Sequence, residues 1–159
     1  MYGRSREQFQ KVFYLSSAGV AGNSGDHPNS PLPFADLATV WAIPQYTLIS
    51  RVYLIVDVAI TGTTDLDVGD ADDADGFIDG SLSVTLGTTG MYGWNAKTAG
   101  AYLRVQTAGA TDAADIYVVP EAKFYKVSGK YVALDVTGTN TAGKARLVVE
   151  GTLFDAFGG

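Results

Sequence analysis

The residues with the most obvious chemical potential in this sequence are aspartates crowded into a short stretch. Seven of them lie between positions 65 and 79: Asp65, Asp67, Asp70, Asp72, Asp73, Asp75 and Asp79. Clustered carboxylates can bind Ca²⁺. A pair of them, one with a raised pKa, can also act as acid and base on a glycosidic bond. The spacing decides which of these chemistries is available.

The spacing does not match an EF-hand, which needs acidic ligands at its first, third and fifth positions, glycine at the sixth and glutamate at the twelfth. With Gly76 as that glycine, Asp75 and Asp73 fit, but Ala71 and Leu82 occupy the first and twelfth positions. The pattern favours a solvated loop in which Asp and Gly supply turn geometry. A calcium loop of another type is the weaker alternative. Its ligands would be Asp70, Asp72, Asp73, Asp75 and Asp79.

The other residues give little support to catalysis. Aspartates that are all exposed on a loop offer no desolvated acid. The single histidine, His27, lies in a Gly-, Ser- and Pro-rich segment where nothing rigid would hold a base near its target. The chain has no cysteine, which excludes thiolate nucleophiles and disulfides, and it has no phosphate-binding motif. We therefore predict no enzymatic activity, no cofactor and no bound metal.

The charge balance limits the choice of partners. The net charge is −6 and the Lys and Arg residues are scattered, whereas nucleic-acid binders carry a basic patch. We expect neither nucleic acid nor a membrane as partner. The N-terminal segment is polar, without the apolar core of a signal peptide, so we expect synthesis in the cytoplasm.

The elements that would position these residues are strands. Alternation is clearest in 47–60, where Val52, Leu54, Val56, Val58 and Ile60 share one predicted buried face. The other predicted strands are 37–43, 81–86, 102–106, 115–119, 122–127, 130–137 and 144–154. Short strands separated by Gly-rich turns, with no helical period, indicate an antiparallel β-sandwich or a barrel of about eight strands.

The N-terminal part has a different composition. Residues 1–36 are predicted to form a lead-in and an extended arm, and residues 37–159 the β-sandwich domain. The segment Ser16–Phe34, which we call the arm, is rich in Gly, Ser, Asn and Pro. Long loops of this kind are usually functional or disordered. We expect the arm to lie on a neighbouring subunit, with Val20, Leu32 and Phe34 as its apolar anchors.

Aromatic residues allow two interpretations. Exposed Trp41, Tyr92, Trp94 and Tyr102 could stack on sugars, but aromatics are also enriched in cores and subunit interfaces. We favour the core or interface.

The stretch from Ile43 to Ile60, followed by Gly69-Asp-Ala-Asp-Asp-Ala-Asp-Gly-Phe-Ile-Asp79, resembles structural proteins of tailed bacteriophages. In those proteins a strand introduced by an Ile-Pro turn precedes a loop of the form VGD…DADGF. The resemblance covers residues 40–85, about a third of the chain.

This resemblance implies a jelly-roll β-sandwich on the virion, most similar to a capsid decoration or cement protein. It implies binding to the major capsid protein and to copies of itself, as a homodimer or homotrimer on the capsid surface, and no catalytic residues. Two alternatives stay open. One is a carbohydrate- or receptor-binding module of a virion appendage, and the other is a calcium-binding adhesion module.

Overall fold

The computed structural model describes residues 6–80, 87–93, 101–103, 105–106, 116–117 and 122–154. This part of the chain contains eight strands, loops and a 3₁₀ turn at Ala101–Leu103. The strands are β1 (Arg6–Ser16), β2 (Leu37–Ile43), β3 (Thr47–Gly69), β4 (Gly90–Tyr92), β5 (Val105–Gln106), β6 (Ile116–Tyr117), β7 (Lys123–Tyr125) and β8 (Lys130–Phe154). Every strand pairing is antiparallel, which confirms the predicted all-β class. Among the described residues, no helix has the length and hydrophobicity to cross a membrane.

Two long strands organise the larger sheet, whose main order is β1-β8-β3-β4. β8 pairs with β3 on one side, and on its other side with β1 and β2 at different points along its length. β3 carries β4 and β7 on the edge away from β8. β5 and β6 form a separate two-stranded sheet.

Both long strands bend without ending. The β3–β8 ladder shifts register several times between Ile49 and Asp65, and Gly138 and Gly143 have positive φ within β8. Register shifts of this kind bend a ladder. The two strands predicted at 130–137 and 144–154 are therefore one strand. Its bent course lets the sheet fold back over a single hydrophobic core.

The inner face of β3 follows the predicted alternation only in part. Val52, Leu54 and Val56 are buried, as is Ile60. The prediction is wrong for Val58, whose side chain is 48% exposed. Register shifts on both sides of Val58 turn it to the outer face, because a one-residue slip moves a side chain across the sheet.

The N-terminal region is part of the same body. β1 pairs with β8 from Arg6 to Ser16. The backbone of Leu32 then bonds to Tyr14 and Ser16, which places one stretch of the arm along β1. Leu32 and Phe34 are buried in the same hydrophobic cluster as the strands. The core thus includes residues on both sides of position 36.

Candidate functional site

Asp70, at the corner where β3 ends, accepts hydrogen bonds from several parts of the described chain. The chain turns sharply after Gly69, and the backbone groups of Asp70 and Asp73 bond to each other. The Oδ1 atom of Asp70 also accepts the backbone N–H groups of Asp72 (2.9 Å) and Asp73 (3.2 Å). This is the local turn chemistry for which aspartate is favoured. Phe77 and Ile78 then pair with Val68, so the segment doubles back on the strand that precedes it.

Two tyrosines from distant parts of the chain complete the environment of Asp70. The hydroxyl of Tyr102 donates to Oδ1 at 2.8 Å, and that of Tyr125 donates to Oδ2 at 2.5 Å. Burial alone would raise the pKa of Asp70, but the hydrogen bonds from Tyr125 and Tyr102 and from the backbone outweigh it and lower that pKa. Burial and the adjacent Asp70 carboxylate raise the pKa of both tyrosines. Asp70 is therefore an ionised carboxylate that ties the turn to β7 and to the 3₁₀ turn.

Two lysines balance the charge around this corner. Lys130 Nζ contacts both carboxylate oxygens of Asp72, at 2.7 and 2.8 Å. Lys123 Nζ lies 3.8 Å from the ring centre of Tyr102, which is a cation–π distance. Both cations thus belong to contacts within the chain.

A second group of carboxyls surrounds Gly80, which follows the segment that doubles back on β3. The Oδ1 atom of Asp67 accepts the backbone N–H of Gly80 at 2.6 Å. Burial is the main reason that the pKa of Asp67 rises to about 6, and nearby Asp65, Asp79 and Asp75 raise it further. Burial likewise raises the pKa of Asp65, whose Oδ1 is enclosed without a hydrogen-bond partner among the described residues.

A third acidic contact joins Asp73 and Asp75. The side-chain hydrogen bond with Asp75 is the main reason that the pKa of Asp73 rises to about 6. Burial and the charge of the nearby Asp75 and Asp70 carboxylates raise the pKa of Asp73 as well.

The prediction of a uniformly solvated aspartate loop is therefore wrong. Asp70 and Asp79 are buried, and Asp65 and Asp67 belong to β3 instead of a loop. Asp72 remains exposed.

The weaker alternative from the sequence is a metal site whose ligands are Asp70, Asp72, Asp73, Asp75 and Asp79. Within the described part of the chain, no three acidic or histidine side chains converge in an arrangement that could hold a metal ion. The Asp70 oxygens already accept four hydrogen bonds. The arrangement supports a structural network, in which carboxylates satisfy buried donors.

Two surface depressions lie away from the aspartate cluster. One crosses the outer face of β1, β8 and β3 near Gln10 and Arg51, and the other lies between the arm and β8 near Pro31 and Lys144. Neither is lined by an aspartate of the 65–79 cluster. The raised pKa values of Asp67 and Asp73 are thus not coupled to either depression.

The other sequence-predicted residues are dispersed. His27 is exposed in the arm, where its Nδ1 accepts the N–H of Asn29 at 3.1 Å. Trp41 packs on Phe9 with a ring-centre separation of 5.3 Å. Trp41, Tyr92 and Tyr102 pack against the core, as predicted. Trp94 lies outside the described residues.

The three arm residues have different surroundings. Leu32 and Phe34 are 4% and 7% exposed within the core of this chain, whereas Val20 is 60% exposed. Of these three residues, Val20 is therefore the one available to a neighbouring molecule.

Sequence analysis missed the partners of Asp70. Tyr102 and Tyr125 lie 32 and 55 residues beyond it, in weakly patterned segments. The usable signal was that Asp70 stands directly after a buried strand, where a carboxylate needs donors from other parts of the fold.

The raised pKa of Asp67 predicts an unusual pH dependence of the protein's stability. In the folded chain the pKa of Asp67 is about 6, above its ordinary value of 3.8. Between these values the folded state holds more protons than the unfolded state, so stability falls as pH rises. We expect Asp67→Asn, which keeps an acceptor for Gly80 without the charge, to stabilise the protein at pH 7 by about 1–2 kcal/mol.

Urea denaturation at pH 5 and pH 7 measures this effect. In the Asp67→Asn variant, the free energy of unfolding should differ less between pH 5 and pH 7 than it does in the parent. Asp26→Asn, in the exposed arm, should behave like the parent. A parent protein more stable at pH 7 than at pH 5, with no gain from Asp67→Asn, would contradict this assignment.

The fold and the hydrogen bonds of Asp70 define an all-β protein with a structural acidic network. No family model matches the chain, and no curated protein matches it. A chain of the cyanophage Pam1 capsid asymmetric unit is similar, with 18% identity and a TM-score of 0.49 over 96% of this chain and 88% of that chain. A chain of the acidic stable capsid of Helicobacter pylori bacteriophage KHP30 has 14% identity and a TM-score of 0.46 over 95% and 94%. Similarity at this level identifies neither a family nor a function.

Proposed function

We propose that this chain is a non-enzymatic structural protein of a bacteriophage virion, which binds the outside of the capsid and stabilises it. The observation that carries the proposal is that the segment resembling phage structural proteins is built into the core of the fold. Asp70 and Phe77, both in that segment, are buried and bonded or packed to the rest of the fold. A motif used in this way builds a rigid framework, which suits a protein that contributes shape and surface.

The low charge content of the sequence supports a role in assembly. Only 18% of the residues are charged, below the roughly 25% that is usual for soluble domains. Depletion of charge is typical of surfaces that partners cover. We propose the major capsid protein and further copies of this chain as those partners, with a homodimer or homotrimer on the capsid surface.

The exposed part of the arm is the proposed contact with the capsid. Val20 is 60% exposed and lies next to the turn in which Asn23 bonds back to the carbonyl groups of Val20 and Pro31. A valine held outward by an ordered turn can enter an apolar pocket at little entropic cost.

Substitution of Val20 tests this contact. We expect Val20→Asp to weaken binding to capsid particles about tenfold or more, because an aspartate would be buried at an apolar contact. Val127→Asp is the matched control, since Val127 is 56% exposed in a different loop. Equal binding by the two variants, measured by cosedimentation with particles, would remove the arm from the contact.

The broader proposal is tested with particles of the phage that encodes the chain, prepared without it. Added purified protein should cosediment at a saturating stoichiometry, appear on the outer shell by electron microscopy, and raise the temperature at which the genome is released. Saturable binding to the outer shell together with a higher release temperature would support the proposal. Absence of binding, or binding without any change in release temperature, would contradict it.

A further inference from the structure

Among the residues that the structure describes, strand β1 has one open edge along most of its length. Its odd-numbered residues face β8, because Tyr14 and Ser16 direct their backbone N–H groups away from β8, to Gly25 and Leu32. By the same alternation, the backbone groups of Gln8, Gln10 and Val12 point outward. Within the part of the chain that the structure describes, no hydrogen bond occupies them. Arg6–Gln8 and Gln10–Lys11 are exposed as well.

The open edge is bounded at one end. From Tyr14 onward the arm occupies it through Gly25 and Leu32. The stretch that no other described segment covers is therefore Arg6–Val12, which is as long as an ordinary strand. An exposed edge of this length is a template for another strand unless something covers it.

The charged residues of this stretch are complementary to those of a second, antiparallel copy. Glu7 and Lys11 lie symmetrically about Phe9, on one face of the strand. In the described part of the chain, neither side chain has a hydrogen bond or an ion pair. If a second copy of β1 pairs antiparallel about a two-fold axis at Phe9, each Glu7 faces Lys11 of the other copy.

Other two-fold registers lose this match. Centring on Glu7 or on Lys11 puts like charges opposite each other, and centring on Gln8 or Gln10 puts one charge opposite Phe9. In the Phe9-centred register the outward-directed Gln8 and Gln10 form the hydrogen-bonded pairs. Glu7 and Lys11 then fall in the non-hydrogen-bonded positions, where side chains approach most closely.

Phe9 would make the centre of this pairing apolar. Its ring is half-buried against Trp41 and Gly151, so it is already held in place. Two Phe9 rings facing each other, each backed by its own Trp41, would form an aromatic cluster across the axis.

We propose that a second copy of this chain pairs with the first through β1, antiparallel over Arg6–Val12 and centred on Phe9. The pairing joins the two sheets into one continuous sheet. It concerns the purified chain alone, so it can hold or fail independently of any role on a capsid.

Charge reversal tests the register. Sedimentation velocity over a range of concentrations should show a dimer for the parent chain. Lys11→Glu and Glu7→Lys should each weaken the dimer about tenfold, because each places like charges opposite one another twice. The double variant Glu7→Lys with Lys11→Glu should recover the parent affinity. Lys126→Glu, the same charge change in the exposed loop between β7 and β8, should leave the dimer unchanged.

A second pair of variants tests the backbone contact. Gln8→Pro removes an outward N–H without breaking a bond to β8, and should abolish the dimer, whereas Gln8→Ala should retain it. Melting temperatures close to the parent value would show that each variant is folded. A monomeric parent, a trimer, or a dimer that ignores the charge reversals would overturn the proposal. A monomer in which the outward amides of Gln8, Gln10 and Val12 exchange slowly would show that another segment of the chain covers the edge.

Discussion

Replacing Asp70 by alanine is expected to destabilise the fold by about 3–5 kcal/mol, since each buried donor left without a partner costs about 1–3 kcal/mol. The substitution removes the acceptor of two tyrosine hydroxyls and two backbone N–H groups at once. It also frees the turn after β3 from β7 and from the 3₁₀ turn. Urea denaturation at pH 7, monitored by tyrosine and tryptophan fluorescence, measures the loss.

The matched control is Asp72→Ala, two residues further along. Asp72 forms an exposed ion pair with Lys130, and such pairs contribute about 0–1 kcal/mol. The penalty of Asp70→Ala should also shrink in a Tyr125→Phe background, because one orphaned hydroxyl is then absent. A similar loss for Asp70→Ala and Asp72→Ala would show that the buried network does not carry the stability.

The pH dependence of Asp70 has the opposite sign to that of Asp67. Its pKa is lowered in the folded chain, so its contribution is complete above the unfolded pKa of about 4 and is lost as pH falls through the lower folded value. The difference between the parent and Asp70→Ala should therefore narrow only in acid below about pH 4.

Gly69→Ala is expected to cost about 3 kcal/mol, at the upper end of what overpacking usually costs. A Cβ atom at Gly69 would lie 2.0 Å from the carbonyl oxygen of Asp73 and 2.4 Å from the carbonyl carbon of Ala74. These are backbone atoms of the turn that holds Asp70, so they cannot move aside without opening it. The cost comes from space alone, because Gly69 does not have a positive φ.

Gly87→Ala provides the comparison for this substitution. A Cβ atom at Gly87 would meet nothing within 4 Å, and Gly87 also lacks a positive φ. We expect that variant to match the parent within about 0.5 kcal/mol. Thermal melting of the three proteins side by side measures both effects, and equal melting temperatures for the two variants would refute the steric argument.

Much of the strand architecture could be predicted from alternation. Leu37–Ile43 is found as predicted, and the strand that begins at Thr47 has its buried face where Val52, Leu54 and Val56 indicated. Local patterns failed where the backbone departs from regular geometry. Gly138 resembles a turn residue in the sequence, but it bends β8 without ending the ladder.

The acidic segment was harder to predict for a different reason. Composition indicated turns, and turns are present, but burial depends on which distant residues close over them. Asp70 is buried because Tyr102 and Tyr125 reach it, and nothing near Asp70 in the sequence specifies those contacts. Asp67 has a raised pKa because β3 continues beyond Ile60 and carries it inside.

The central position of β8 has a consequence for biosynthesis. Arg6 at the start of the sheet pairs with Phe154, and β2 and β3 also find their neighbours on β8. A nascent chain therefore lacks the ladder partner of β1, and the longest ladder partner of β3, until β8 has been translated. Folding is expected to be slow, because the main pairings join segments that are distant in the sequence. Before β8 joins the sheet, the apolar residues of β3 lack much of their packing, which makes the incomplete chain prone to aggregation.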